Sequence, residues 1–312
     1  MISYVTPSGS SLGGNAYLIT GSGFVSEAYN DEFDGAVLDA LLWSDISTGS
    51  GSITTDYPHL YLDTSSTNTS LAGIESANTF TDVQFEIKSY LYALSSYPSV
   101  DINALSFMLY VDASNFARIK VNIAAYTAEV TLVCDIYVGG ALISSYSEDW
   151  TLGYSTFKIA RSGSTIYFSA NGDLFYSSRD FIASAATFRI LNDNSTIDYQ
   201  AKALVDYFTE RTFVKFDDQC DLNTIVVSDT RIRGIVPASL DDKEQVGGFA
   251  GTVDVDVTNA VGTSTSNDAY EYIYDNMLKL VNSSQSSFVL SLIGDEQIKT
   301  PSGSSRSLGG GR

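Results

Sequence analysis

The chain has 312 residues, of which 17% are charged, and its formal net charge at neutral pH is −20. A surface this acidic repels phosphate backbones and anionic lipid headgroups, so nucleic-acid and membrane partners are not expected. Hydrophobic residues make up 44% of the chain, which is enough for a substantial core and disfavours disorder.

Residues 1–30 combine glycine and serine with short apolar pairs, and they predict an N-terminal arm with one or two short strands. The start of the chain lacks the basic stretch and apolar core of a signal peptide. No apolar run in the sequence reaches the length of a membrane span, so the sequence predicts neither an export signal nor a transmembrane segment.

Residues 31–213 form a series of runs in which apolar and polar residues alternate with a period near two, as in half-buried strands. Turn signals separate the runs at Gly139-Gly140, Ser162-Gly163 and Asn171-Gly172. Asn-Gly between alternating runs is a strong hairpin signal, because both residues tolerate positive φ angles. Many short strands with regular turns predict an antiparallel sandwich or barrel.

Three stretches of this region resemble the concanavalin-like, or laminin-G-like, jelly-roll family. DEFDGAVLDALLW (31–43) resembles its first strand, FKIARSGSTIYFSANGDLFY (157–176) resembles its hairpin with an Arg-x-Gly turn, and KALVDYFTERTF (202–213) resembles its closing strand. The resemblance implies a jelly-roll β-sandwich of two antiparallel sheets over residues 31–213. It leaves the function open, since this fold serves lectins, glycanases and structural modules.

Residues 214–299 predict a small α+β domain, and residues 300–312 a glycine- and serine-rich tail. The single predicted helix covers residues 268–281, DAYEYIYDNMLKLV, whose apolar residues form a stripe at helical spacing. Asp268 is placed to cap its first turn, and Glu271 stands three residues later in capping-box position. The tyrosine and methionine stripe of this helix is expected to be core.

The acidic residues give little support for catalysis. Glycanases of the concanavalin-like fold carry a Glu-x-Asp-x-Glu strand, in which alternate carboxylates share one face for acid and nucleophile roles. Glu32–Asp34 lacks the third carboxylate, and the adjacent Glu148 and Asp149 would face opposite sides of a strand. His59 is the only histidine, which disfavours zinc and histidine-based catalysis. The sequence therefore predicts no enzyme, no catalytic residue and no cofactor.

A structural Ca²⁺ ion is left open, although no metal ligand is assigned. Oxygen donors occur in several turn-like stretches, but none has the spacing of a calcium loop, and turn formation by Asp and Asn side chains explains each of them better. The donors considered are Asp112, Asn115, Asp193, Asp217 and Asp218. Cys134 lies in an apolar run and is expected to act as a small hydrophobe, and whether it meets Cys220 is open.

The chain begins and ends on related phrases, TPSGSSLGGNA at 6–16 and TPSGSSRSLGGGR at 300–312. They resemble a short Pro-x-Gly and Leu-Gly-Gly repeat of virion and other surface-assembly proteins. Glycines and small residues allow an arm to add to a sheet edge of a neighbouring subunit, whereas two flexible tails without partners are the alternative. The predicted assembly residues are Pro7, Gly9, Leu12, Gly13, Gly14, Pro301, Gly303, Leu308, Gly309 and Gly310.

Two functional hypotheses follow. The first is a non-enzymatic structural component of a virus particle, such as a capsid decoration, tail or fibre-associated protein of a tailed bacteriophage. It would be located in the virion and would assemble with copies of itself and with other virion proteins. The alternative is a carbohydrate-binding module or adhesin that attaches to host-surface glycans through exposed aromatic side chains. The tyrosines considered for this role are Tyr90, Tyr92, Tyr97, Tyr154 and Tyr176.

Overall fold

A computed structural model of the chain is almost entirely β-structure, and no helix occurs among the residues that it describes. None of these residues forms a helix with the length and hydrophobicity needed to cross a membrane. The described residues are 1–25, 29–56, 58–64, 70–91, 102–124, 129–151, 153–194, 202–217, 219–221, 223–239, 250–259, 262–273, 277–281, 287–291, 298–299 and 305–306.

The strands are numbered in chain order. They are β1 (Ile2–Val5), β2 (Ser8–Ser10), β3 (Ala16–Gly21), β4 (Asn30–Asp31), β5 (Trp43–Asp45), β6 (Ser52–Asp56), β7 (His59–Asp63), β8 (Ser70–Ser76), β9 (Val83–Leu91), β10 (Ile102–Asp112), β11 (Asn115–Ile123), β12 (Val130–Val138), β13 (Ala141–Trp150), β14 (Tyr154–Ser162), β15 (Thr165–Ala170), β16 (Asp173–Ser178), β17 (Thr187–Asn194), β18 (Lys202–Arg211), β19 (Phe213–Phe216), β20 (Gln219–Asp221), β21 (Ile225–Ser228), β22 (Arg231–Ile235), β23 (Gly251–Asn259), β24 (Gly262–Ile273), β25 (Met277–Val281), β26 (Ser287–Ser291), β27 (Ile298–Lys299) and β28 (Ser305–Arg306).

Two antiparallel sheets packed face to face form a concanavalin-like jelly roll, as the sequence predicted. The back sheet has the order β13-β12-β11-β10-β17-β8-β5. The front sheet has the order β16-β15-β14-β9-β18-β7-β6, with β4 pairing alongside β18. Consecutive strands often alternate between the sheets, as in β8, β9 and β10, so the chain repeatedly crosses the core between them.

Strand β11 shows how the sequence alternation builds this sandwich. Its residues Ala117, Ile119 and Val121 are buried in the core, whereas Arg118 and Lys120 point outward and are half-buried. Successive side chains of a strand face opposite sides, so one face supplies the core and the other faces solvent. Between the sheets the core is mainly aliphatic and aromatic, and its members include Phe85, Phe107, Phe157, Phe188 and Phe208.

Two of the three predicted hairpin turns are confirmed, whereas the third is displaced by one residue, since Ser162 ends β14 and the turn is Gly163-Ser164. Asn171 and Gly172 have φ angles of 51° and 93° and join β15 to β16. Gly139 and Gly140, at 59° and 80°, join β12 to β13. Both residues of a two-residue hairpin turn need positive φ angles when the turn follows the twist of the strands, and Asn and Gly adopt these angles at low cost.

The stretch 31–43, expected to be the first strand of the jelly roll, is two short strands joined by a loop. Asp31 ends β4, where its Oδ1 accepts a hydrogen bond from the Phe33 amide at 2.7 Å. Its Oδ2 accepts a hydrogen bond of 2.8 Å from the indole Nε1 of Trp43, which begins β5. The hydrogen bond between Asp31 and Trp43 therefore anchors a buried tryptophan.

A second, smaller sandwich is built from both parts of the chain that flank the jelly roll. One of its sheets has the order β1-β3-β22-β21, and the other has the order β2-β24-β23-β19-β20. The N-terminal arm predicted over residues 1–30 is therefore corrected: residues 2–21 contribute three strands to this sandwich. Val5, Tyr17 and Ile19 from these strands are buried against Phe216 and Ile232.

The helix predicted over residues 268–281 is wrong. Residues up to Ile273 belong to β24, in which Tyr270 and Tyr272 are buried while Glu271 and Ile273 are exposed. This is a period of two, and tyrosine favours strands. Residues 277–281 form β25, which pairs with β26, and β27 pairs with β28. The predicted α+β domain is consequently all β-structure in its described part, and its strands β19 to β24 belong to the second sandwich.

We expect Gly9→Ala to destabilise the second sandwich by about 1–3 kcal/mol, because a Cβ atom must be forced into a filled space. That atom would lie 2.2 Å from the hydroxyl of the buried Tyr270 and 2.2 Å from Asn15 Nδ2. Urea unfolding measures the loss, with Ser8→Ala in the same strand as the control. Equal stability of the two variants would contradict this packing.

Candidate functional site

The outward side of the front sheet carries a group of tyrosines and charged side chains, here called the tyrosine face. Strand register decides which outward residues become neighbours. Tyr154 on β14 lies opposite Tyr90 on β9, which lies opposite Leu204 on β18, and Leu204 lies opposite Tyr61 on β7. The members of the tyrosine face are Tyr61, Tyr90, Tyr154, Tyr207, His59, Lys88 and Asp206.

The tyrosine pair is the most accessible part of this face. The ring centroids of Tyr90 and Tyr154 are 4.8 Å apart, at an interplanar angle of 52°. Tyr154 is 57% exposed, and Tyr90 is half-buried. Leu204 is buried although it points outward between Tyr90 and Tyr61. The row is therefore an apolar surface whose tyrosine hydroxyls can stay in contact with water.

A group of charged side chains lies beside the tyrosine pair. Lys88 donates a hydrogen bond to Oδ2 of Asp206, and Nε2 of His59 lies 3.4 Å from Oδ1 of the same carboxylate. The hydrogen bond with Asp206 raises the pKa of the Lys88 amine, so the amine stays charged. The ammonium lies 5.0 Å from the ring centroid of Tyr154 and 6.0 Å from that of Tyr207, which is within cation–π range.

A β-bulge in β18 brings Asp206 to this face. The register of β18 against β9 shifts between Val205 and Tyr207, which leaves Asp206 as an extra residue. Bulges commonly re-aim side chains next to functional sites. Here the bulge allows both Asp206 and its neighbour Tyr207 to contact charged groups of β9, namely Lys88 and Glu86.

Glu86, two residues before Lys88, is the centre of a buried ion-pair network. Its carboxylate accepts hydrogen bonds from Arg211 at 2.7 Å and from the Tyr207 hydroxyl at 2.8 Å, and Lys158 Nζ lies 3.3 Å away. Burial opposes ionisation of Glu86, but the hydrogen bonds and charges of Arg211, Tyr207 and Lys158 outweigh it and lower its pKa. Burial and the bond to Glu86 raise the pKa of Tyr207 to about 12.

The outward side of the front sheet is open at one end and covered at the other. Along β14 the outward side chains change from the exposed Tyr154, through the half-buried Thr156 and Lys158, to the fully buried Ala160. At the covered end, Ala160 and Tyr167 pack against Cys220 of the second sandwich. A ligand therefore has access to the end of the face that carries Tyr154.

The second sandwich contacts this covered end through the loop that follows β20. Asn223 in this loop accepts a hydrogen bond from Lys158 Nζ at 3.4 Å and donates one to the Gly172 carbonyl at 3.1 Å. Asp221 fixes the loop, because its carboxylate accepts bonds from the Asn223 amide at 2.9 Å and from the Tyr17 hydroxyl at 2.8 Å. Burial raises the pKa of Asp221.

The carboxylates of this side of the sheet are already engaged by basic groups. Hydrolysis of a glycosidic bond commonly uses two carboxyl groups on either side of the bond. Glu86 and Asp206 both form ion pairs with described residues. Glu148 and Asp149 lie on the edge strand β13. In the strands that the structure describes, three alternate carboxylates do not occur on one face.

The remaining acidic candidate, Glu32–Asp34, lies in the loop after β4 and not on a strand. Together with Asp31 and Asp39 it lines a cleft of about 350 Å³. Burial raises the pKa of Asp31, whose carboxylate already holds Trp43 and the Phe33 amide. These two hydrogen bonds give Asp31 a structural role, because they hold Trp43 and the backbone at Phe33 in place.

The predicted assembly residues of the N-terminal phrase are packed against the chain itself. Gly9 lies in β2, which pairs in parallel with β24. Gly13 and Gly14 have φ angles of 74° and 83°, and the Gly14 amide donates a hydrogen bond to the Val236 carbonyl at 2.9 Å. Pro7 and Leu12 are exposed beside them. The C-terminal members of the set, Pro301, Gly303, Leu308, Gly309 and Gly310, lie outside the described residues.

Among the described residues, the oxygen donors considered for Ca²⁺ do not converge. Both Asp112 oxygens accept from Asn115 Nδ2 at 2.9 Å in the β10–β11 turn, and this bond lowers the pKa of Asp112. Asp193 lies on β17, Asp217 has a φ angle of 55°, and Asp218 lies outside the described residues. Within the described ranges, no three His, Cys, Asp or Glu side chains are grouped to hold a metal ion.

The two cysteines do not meet. Cys134 is buried in the jelly-roll core, as expected from its apolar run, and Cys220 lies in the second sandwich. Both are free thiols.

Sequence reasoning found only part of the tyrosine face. Of the tyrosines considered for glycans, Tyr90 and Tyr154 are brought together, whereas Tyr176 stacks on Tyr146 at the edge of the sandwich. Tyr92 and Tyr97 lie outside the described residues. The charged members Lys88, Asp206 and His59 were missed. The alternation QFEIKSY in β9 was the available signal, since it places Gln84, Glu86, Lys88 and Tyr90 on one side.

Comparison with known proteins finds similar solved structures. No protein-family model and no curated protein matches the sequence. Among solved structures, the Bacillus licheniformis β-glucanase is similar over 59% of this chain and 97% of its own, with 12% identity and a TM-score of 0.46. The laminarinase catalytic domain of Thermotoga maritima is similar over 60% and 98%, with 13% identity and a TM-score of 0.47. A laminarinase from Flavobacterium is similar over 60% of this chain and 100% of its own length, with 12% identity and a TM-score of 0.47.

These neighbours correct the first functional hypothesis. They are carbohydrate-cleaving enzymes, whereas the sequence was interpreted as a non-enzymatic structural component of a virus particle. The names of these neighbours contradict the predictions of a virion role and of a protein without enzymatic activity, and neither prediction is retained. The alternative interpretation, carbohydrate binding, agrees better with these neighbours.

We expect Glu86→Gln to lower the free energy of unfolding at pH 7 by about 1–3 kcal/mol, because the charge-assisted hydrogen bonds of a buried carboxylate are lost. Since these bonds hold the pKa of Glu86 below its ordinary value of 4.5, their stabilisation is complete above that pH. It is lost as the pH falls through the lowered pKa, so the difference between wild type and variant narrows in acid.

Urea unfolding at a series of pH values measures this difference. Glu271→Gln, at an exposed carboxylate of β24, is the matched control and should cause little change at any pH. A Glu86→Gln effect that is independent of pH would contradict the network.

Proposed function

We propose that the protein binds an uncharged glycan on the tyrosine face. The observation that carries the proposal is the exposed ring of Tyr154, held 4.8 Å from Tyr90 and next to the Lys88–Asp206 ion pair. One side of a sugar ring presents C–H groups, which suit the electron-rich face of a tyrosine. The rim of the sugar presents hydroxyls, which need hydrogen-bond donors and acceptors at the same place.

The charged side chains supply both kinds of hydrogen-bonding group. The Lys88 ammonium has three donors, and Asp206 is an acceptor with two oxygens. Their side chains are 36% and 22% exposed, so sugar hydroxyls can reach both groups. His59, next to Asp206, and the tyrosine hydroxyls add groups that donate or accept. A few polar groups placed beside aromatic surface are typical of small-molecule sites.

The charge balance favours an uncharged glycan over an anionic one. The chain carries 37 acidic and 17 basic residues. On the tyrosine face, Lys88 is already paired with Asp206, and the carboxylate of Glu32 also acts on Lys88 electrostatically. An incoming sulfate or uronate would therefore meet an acidic surface without a free cation to neutralise it.

We expect Tyr154→Ala to weaken binding of an uncharged glycan about tenfold, because one stacking surface is removed. A glycan array identifies the ligand among β-glucans, mucin-type O-glycans and sulfated or uronate-containing polymers, and calorimetry then measures its affinity. Tyr146→Ala is the control, since Tyr146 is an exposed tyrosine on the edge strand β13 and should leave affinity unchanged.

Each outcome bears on the proposal. Folded protein that binds no glycan on the array would refute it, as would preferential binding of polyanions or equal losses in the two tyrosine variants. The same samples are assayed for released reducing ends. Hydrolysis lost in Tyr154→Ala would add a reaction to the binding face, whereas hydrolysis that this variant retains would place the glycan site elsewhere.

A further inference from the structure

The outward side of the four-stranded sheet in the second sandwich carries exposed apolar residues around two arginines, and is here called the arginine face. Arg233 on β22 lies opposite Leu18 on β3 and Ile225 on β21. Arg231 lies opposite Thr20, which in turn lies opposite Tyr4 on β1. The members of the arginine face are Tyr4, Ile225, Val227, Ile235, Arg231 and Arg233.

This face has the composition of a protein interface. Tyr4, Ile225, Val227 and Ile235 are each about half exposed. Neither arginine forms an ion pair with any residue that the structure describes, although acidic residues outnumber basic ones in the chain. Apolar surface combined with arginine and tyrosine is typical of the centre of interfaces between proteins.

A surface with the opposite character lies on the jelly roll, in the loop of residues 32–41, here called the acidic loop. Glu32, Asp34 and Asp39 are exposed in it. Val37 and Leu41 are 78% and 83% exposed, more than the other large hydrophobic side chains described apart from Met1. The loop therefore presents apolar side chains among carboxylates, as the arginine face presents apolar side chains among guanidinium groups.

We propose that the acidic loop of one copy of this chain docks on the arginine face of a second copy. The apolar side chains of the two surfaces bury one another, and the carboxylates of the loop pair with Arg231 and Arg233. The pairing removes exposed apolar area from both surfaces and neutralises the two arginines.

The contact joins two different surfaces, so it is head to tail. Each copy retains one free loop and one free face after a single contact, and the assembly continues until it closes into a ring or grows as a filament. Because part of the attraction is between exposed charges, we expect it to weaken at high salt, where the Debye length at 1 M falls to about 3 Å.

Analytical ultracentrifugation of the full chain, from micromolar to near-millimolar concentration, tests the proposal. At low ionic strength the weight-average mass should rise with concentration. It should stay at the monomer value in Arg231→Glu/Arg233→Glu and, separately, in Asp34→Lys/Asp39→Lys. Mixing the two double variants should restore association, because each then offers a surface complementary to the other.

Arg179→Glu and Asp173→Lys, at exposed jelly-roll positions, change the net charge without touching either surface and should leave association intact. Unfolding midpoints confirm that the variants are folded. A wild-type chain that stays monomeric at every concentration would overturn the proposal. The arginine face would then be covered by a different acidic protein or by another part of the same chain. Association that both reversals leave unchanged, or that mixing does not restore, would overturn it too.

Discussion

The pairing of β9 with β18 at the centre of the front sheet is the contact on which the rest of the structure depends. Inward, Phe85 and Phe208 place their rings 4.8 Å apart in the core between the sheets. Outward, the same two strands hold Lys88 against Asp206, and Glu86 against Tyr207 and Arg211. A shift of one residue in this register would exchange the two sides, placing charges in the core and aromatic rings in water.

The sequence predicted the parts of this architecture that local patterns determine. Alternation within each run predicted the strands, and Asn171-Gly172 predicted a hairpin. Strands and tight turns both depend on residues that are neighbours in the sequence. The ion pair of Lys88 with Asp206 joins residues 118 positions apart and needs the bulge in β18, which no local pattern specifies. AYEYIY supplied apolar residues at both helical and strand spacing, and packing of Tyr270 and Tyr272 in the second sandwich decided between them.

Both sandwiches determine the shape of the tyrosine face. The jelly roll supplies every side chain of the face, whereas the second sandwich covers the end that carries Ala160 and Tyr167. The loop that covers it is held by Asp221, whose carboxylate bonds to Tyr17 from a strand 204 residues earlier. The open end of the face is thus defined by a contact between distant parts of the chain, and for this reason the extent of the site could not be inferred from the jelly-roll strands alone.

The second sandwich draws on both flanks of the chain, so the jelly roll is an insertion between β3 and β19. Synthesis therefore releases a complete jelly roll while β1, β2 and β3 still await β22, β23 and β24. The jelly roll can therefore fold first. The second sandwich, which is the host domain, is completed only after its later strands are synthesised. Because the described strands of the host domain pair with one another and with no strand of the jelly roll, a different inserted domain would leave their pairing unchanged.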